Sequence, residues 1–189
     1  MKTKSNHLIV FVLPVVLMLV MGFGGYAFLQ SDEASEWTNE DLQGNIEWTG
    51  TQAGQTVELS WEWPGMPVDG MFGDDYLSVV GPVEGIKVEL HASDGILFEE
   101  EGTEVDNGWI VSFPTELVEN KSYGNRGTLL IDLESSEASL DELNVQLLHT
   151  WTQHAPLEKE DATFDQPKFG EATNVPYWVE PIQVEQYVR

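Results

Sequence analysis

Residues 56–63 read TVELSWEW, and the architecture follows from this stretch. Val57, Leu59, Trp61 and Trp63 alternate with Glu58, Ser60 and Glu62, which puts apolar side chains on one face of an extended strand and polar ones on the other. Pro64-Gly65 then stops it. The pattern recurs at 86–91, where Ile86, Val88 and Leu90 alternate with Lys87, Glu89 and His91. Ser93-Asp94-Gly95 turns the chain into a strand over 96–99, and Asp106-Asn107-Gly108 turns it again into 109–113. Asn125-Arg126-Gly127 leads into 128–133, and residues 143–152 close the series. Residues 45–49 add an edge strand, and Ser139-Leu140-Asp141-Glu142 reads as a capping box opening one helical turn.

About seven strands, apolar on one face and acidic on the other, must pair two sheets to cover both apolar faces. The reading is all-β: an antiparallel β-sandwich of immunoglobulin-like size over residues 45–154. A closed barrel is the alternative, because strand count alone permits both. The cysteines and tyrosine corner of an immunoglobulin domain are missing, so the strand order stays open.

The chain has 189 residues, 33 acidic against 8 basic side chains, a formal net charge of −25, seven tryptophans and no cysteine. A chain this acidic does not replace the counterions of a nucleic acid backbone, so nucleic acid is excluded as a partner. The lack of cysteine removes disulfides, thiolate metal sites and thiol catalysis. The domain must stand on packing alone.

Residues 8–29 read LIVFVLPVVLMLVMGFGGYAFL without a charge. As a helix this run is roughly 33 Å long, against about 30 Å of bilayer hydrocarbon. Lys2 and Lys4 precede it, and all 33 acidic residues lie beyond Gln30. The positive-inside bias therefore predicts a cytoplasmic start over 1–7, a transmembrane anchor over Leu8–Leu29, and an extracytoplasmic remainder. The alternative is a secretory signal cleaved near Ala27, where Gly25 and Ala27 are the small residues a signal peptidase reads. Residues 30–44 are polar and acidic and read as a stalk. Thr38 with Asp41 can cap a short helix there.

Residues 155–189 hold Pro156, Pro167, Pro176 and Pro181, interleaved with Phe164, Phe169, Tyr177, Trp178 and Tyr187. Proline blocks central strand pairing, whereas the aromatics favour burial. The segment is expected to strap across the sandwich, with 182–188 as an edge strand; the competing expectation is a partner-docking tail. Trp178, Tyr177, Phe169 and Trp37 are the candidate partner-binding residues, because none lies in an alternating strand with other core positions.

No nucleophile elbow, zinc-helix motif or phosphate-cradling glycine loop is present. His149 falls on the apolar face with Leu147 and Trp151 and reads as a hydrogen-bonded core histidine. His154 falls on the opposite parity, so the two do not converge on an unbroken strand. The segment 64–85 reads as one long loop, in which Asp69, Asp74 and Asp75 flank Gly70 and Gly73. Hard oxygen ligands on a glycine loop suit Ca²⁺, although the spacing is not that of an EF-hand. Copper through Met66, Met71 and histidine ranks below calcium.

The sequence thus points to a membrane-anchored extracytoplasmic binding or assembly module without catalytic activity, acting on a protein partner. Two alternatives are carried: a Ca²⁺-dependent structural or sensing domain, and a hydrolase in which His149 or His154 meets a carboxylate in space.

Overall fold

A computed structural model describes residues 37–93, 95–119 and 121–188, together with Pro14, residues 16–18 and Met21. Those five N-terminal residues are helical. The rest of the apolar run 8–29 lies outside the described residues, among which no helix is long and apolar enough to cross a membrane. The chain divides after Glu36 into two compact units, and every strand among the described residues lies in the second, Trp37–Arg189.

That unit is built of antiparallel β-sheets. The strands are β1 Glu47–Ala53, β2 Thr56–Glu62, β3 Asp74–Val80, β4 Val83–Ala92, β5 Gly95–Glu101, β6 Thr103–Val105, β7 Gly108–Pro114, β8 Leu117–Val118, β9 Lys121–Ser122, β10 Arg126–Leu133, β11 Asn144–Thr150 and β12 Tyr177–Ile182. One five-stranded sheet runs β1-β2-β10-β4-β5, a second runs β12-β11-β3-β7-β6, and β8-β9 is a small separate hairpin. The two large sheets face each other across one core. From the first come Val57, Leu59, Trp61, Val88 and Leu129; from the second come Leu77, Val79, Val111, Phe113 and Val145. At one end the Trp61 and Phe113 rings meet at 5.2 Å. At the other, Trp109 Nε1 donates to the Val83 carbonyl at 3.2 Å.

The sandwich has more strands than the alternating pattern suggested. The main correction is β3, which occupies part of the expected 64–85 loop. Its sequence DDYLSVV shows no clean alternation because it is buried on both faces. Asp75, Leu77 and Val79 face the inter-sheet core, whereas Tyr76 joins a second apolar layer outside the sheet. A strand covered on both sides reads as a continuous run rather than a period of two.

The second layer is made by the C-terminal segment. Leu157, Ala162, Phe164 and Phe169 pack on Tyr76 of β3, Ile110 of β7 and Leu148 of β11. Each fully buried aromatic or leucine side chain of this kind contributes roughly 1.5–3 kcal/mol. Tyr76 fastens the layer by accepting the Leu157 backbone N–H at 3.0 Å. Burial raises the Tyr76 hydroxyl to about 12. The edge strand is β12, at 177–182, and not 182–188; beyond it Val184–Tyr187 forms a helical turn, α2. Pro181 sits in β12, which pairs only with β11 and so needs no donor on its outer side. Val188 then bridges to Gly50 of β1 on the other sheet.

On the opposite side, Gly102 carries the chain from β5 directly into β6 of the second sheet, and its N–H donates to Ile86 O at 2.7 Å. A Cβ at Gly102 would overlap the Ile86 side chain, so only glycine fits this crossing. Residues 37–44, read as stalk, belong to the same unit and form the short helix α1, Asn39–Leu42. Thr38 caps it with a capping box to Asp41, as its sequence suggested. The expected turn after Ser139 is a single 3₁₀ turn, Leu140–Glu142, without a side-chain cap bond to the backbone.

Two outcomes test this arrangement. Tyr76→Phe orphans a buried N–H, which should cost about 1–3 kcal/mol, and should speed tryptic cleavage at Lys159 and Lys168 in the overlying segment. Burial raises the Glu180 carboxyl above its ordinary value, opposed by the Gly44 N–H bond. Its raised folded value favours the fold at low pH, and that contribution is lost as pH rises through it. Glu180→Gln should therefore melt above the native protein at pH 8, with the gap closing on acidification.

Candidate functional site

Asn39, Asp75 and Thr150, among the most deeply placed polar residues of the domain, gather around His149, near the end of β11. Its inward face is set by alternation: Val145, Leu147 and His149 point to the inter-sheet core. Continuing the β11–β3 register past Leu148↔Tyr76 sets His149 opposite Asp75, and on its other side His149 pairs with Trp178 of β12. His149 is fully buried and Asp75 is 1% exposed. Three tryptophans enclose the imidazole, with ring centroids at 5.3 Å for Trp63, 5.6 Å for Trp151 and 4.8 Å for Trp178.

The proton positions follow from the partners. Asn39 Nδ2 donates to Asp69 Oδ1 at 2.8 Å and to the Gly70 carbonyl at 2.9 Å. Both are acceptors, so the amide oxygen of Asn39 must face His149 Nε2, which donates to it at 2.9 Å. Asp75 Oδ1 accepts the Thr150 N–H at 3.0 Å, and its Oδ2 lies 2.8 Å from His149 Nδ1. One proton therefore occupies the Asp75–His149 bond, and the pair is neutral as a whole, which is what permits it in a dry interior. The Asn39 carbonyl accepts Trp178 Nε1 at 2.8 Å, and its N–H donates to Asp69 Oδ1 at 3.0 Å.

This arrangement supplies a His–Asp pair whose imidazole is enclosed on every side described. In acid–base catalysis the outer imidazole nitrogen must reach substrate. Here an asparagine occupies it and tryptophans seal the ring. His154 stands on the other face of the sheet, with Nε2 at 2.7 Å from Thr150 Oγ1 and Nδ1 at 2.7 Å from the Ala155 carbonyl. The two histidines do not converge.

The three aspartates of the calcium reading have different partners. Asp75 holds His149 and Thr150, Asp69 holds Asn39, and Asp74 is half-buried, its carboxyl raised chiefly by desolvation and held back by His154. Among the described residues no group of three or more His, Asp or Glu side chains is placed to hold a metal ion. Of the four candidate partner-binding aromatics, Trp178 and Phe169 are buried, at 7% and 3% exposed. They are core residues because β12 and the C-terminal layer carry them inside. Tyr177 is exposed, and Trp37 is half-exposed with its indole against Gly65.

The accessible candidate surface is the end of the sandwich directly above this cluster. Seven large apolar side chains of the described domain are exposed: Met66, Val68, Phe72, Ile96, Leu117, Val118 and Tyr177. All seven lie at one end. The β2–β3 loop carries the first three, the β8-β9 hairpin carries Leu117 and Val118, Ile96 opposes His91 at the β4–β5 turn, and Tyr177 opposes Thr150. The two loops adjoin, since Thr115 N–H donates to the Gly73 carbonyl and Ser122 Oγ touches Met66 Sδ at 3.6 Å. The same end receives the chain at Trp37, whose carbonyl accepts the Val68 N–H at 2.8 Å. Beside it lies a cavity of about 380 Å³ lined by His91, Ser93, Lys121, Ser122, Asn125 and Arg126. The opposite end carries Glu101, Glu104, Asp106, Glu134, Glu137 and Asp141, all exposed.

Asn39 and the clustering of these loops were not legible in the sequence. Asn39 sits in an acidic segment without strand pattern, and the loops meet only through the fold. No protein-family model, no curated protein and no solved structure gives a significant match to this chain.

The proton assignment has a measurable consequence. Asp75→Ala leaves His149 and the Thr150 N–H unpaired and should cost about 3–5 kcal/mol in urea unfolding. Asp75→Asn can accept from Thr150 and donate to a neutral His149, so it should cost less than half as much. Equal losses would sink the shared-proton account.

Proposed function

We propose that this protein is a membrane-anchored extracytoplasmic binding or assembly module without catalytic activity. The run 8–29 holds it in the membrane with its start in the cytoplasm, and the domain contacts its partner through the apolar end. The observation that carries this reading is the one-ended distribution of exposed apolar side chains. Scattered single hydrophobes are ordinary on a protein surface, whereas a gathered set on adjoining loops marks an interaction surface. The loops stand on a rigid base, because Asn39, Asp69 and Gly70 tie their roots to the buried histidine. A rigid scaffold that presents exposed loops is how binding surfaces are commonly built.

The non-catalytic part of the reading rests on the sealed His149–Asp75 pair. The charge asymmetry favours export, since the acidic residues all follow the apolar run.

Photo-crosslinking in native membranes tests the surface. A photoreactive side chain at Phe72 or Leu117 should give adducts that one at Glu137 does not. Equal adduct patterns at the three positions would remove the apolar end as the contact surface.

A further inference from the structure

The same end can be assigned a first partner. We infer that the apolar end of the domain rests on the bilayer surface that holds the N-terminal run. Phe72, Val68 and Leu117 then lie in the headgroup layer, with Trp37 and Tyr177 at its rim. This rests on the anchored reading above and deepens it.

Chain length is the first argument. Only residues 30–36 separate Leu29 from Trp37. Even fully extended, seven residues span at most about 25 Å. Trp37 is therefore held near the membrane, and through the Val68–Trp37 hydrogen bond so is the β2–β3 loop. The apolar end is the tethered end; the acidic turns at 101–106 and 134–142 are at the other. Had the exposed hydrophobes served a distant soluble partner, nothing would require them at the end where the tether arrives.

Residue chemistry is the second. Tyr and Trp have an apolar body with a polar tip and favour the headgroup level, which suits the half-exposed Trp37 and the exposed Tyr177. Phe72, Val68 and Leu117 are 59%, 64% and 61% exposed, so most of each side chain is available to lipid without any rearrangement of the core. Electrostatics selects the kind of surface. Exposed Glu40, Asp41, Asp69, Glu116 and Glu119 at this end outnumber Lys121 and Arg126, so anionic headgroups would be repelled close to the contact. A zwitterionic surface fits.

The natural lack of cysteine makes the test direct. In the full chain, single variants Phe72→Cys, Leu117→Cys and Glu137→Cys are labelled with a polarity-sensitive fluorophore. Each is then reconstituted into phosphatidylcholine vesicles with and without nitroxide-headgroup lipid. Labels at 72 and 117 should shift to the blue and lose emission roughly twofold with nitroxide lipid, while the label at 137 changes little. Labels that are all equally wet overturn the docking while leaving the anchored reading intact. A blue shift that nitroxide lipid does not quench, and that grows with protein density, assigns the end to a second copy and overturns it too. A chain that fails to float with the vesicles overturns the anchor and the docking together.

Discussion

One proton between Asp75 and His149 holds the end of this sandwich together. Neither side chain is tolerable alone in that place: a bare carboxylate or an unpaired imidazole among tryptophans would carry a desolvation cost with no return. Together they are neutral, and the geometry of each fixes the next. Asp75 orients the ring, the ring demands an acceptor at Nε2, and the Asn39 amide supplies it. The other half of that amide then pins Asp69 and Gly70. In this way a side-chain pair on two neighbouring strands sets the position of a short helix and of a loop far away in the chain. The network links β3, β11, β12, α1 and the β2–β3 loop, and no other polar cluster described in the domain reaches as many elements.

Legibility in the sequence followed the number of faces each element exposes. Strands with one wet face, such as Thr56–Glu62 and Arg126–Leu133, announce themselves through alternation, and their inward residues are those expected. β3 did not, because the C-terminal layer dries its outer face and erases the period. Trp178 and Phe169 escape the alternating pattern for a related reason. Without a visible strand around them they looked unpartnered, whereas Trp178 occupies a core position in an edge strand and Phe169 in a second apolar layer. His149 was legible as a core histidine from parity alone. Its partners were not, since Asp75 was hidden in an apparent loop and Asn39 in an apparent stalk.

The surface divides as well. Exposed large apolar side chains gather where the chain arrives, whereas carboxylates are exposed at both ends and stand without such neighbours at the far turns. The same five-strand sheets serve both ends, so the difference lies in loop composition rather than in the fold. Two crossings, one at Gly102 and one through Val188 to Gly50, close the sides of the sandwich and leave the ends to the loops.

Asn39 is also a matter of timing. It lies 110 residues from His149 and 139 from Trp178 along the chain. A chain made from its N-terminus therefore releases Asn39, Asp69 and Gly70 early, and His149 and Trp178 late. Contacts of such long sequence separation are slow to close, and segments that await them stay exposed meanwhile. The β1–β2 hairpin can form as soon as residue 62 is free, and α1 can meet Asp69 and Gly70 soon after, but its contacts with His149 and Trp178 wait until β11 and β12 have been laid down beside β3. Full seating of the first helix thus waits on the C-terminal part of the chain, as does the Val188–Gly50 bridge that ties the last residues to β1.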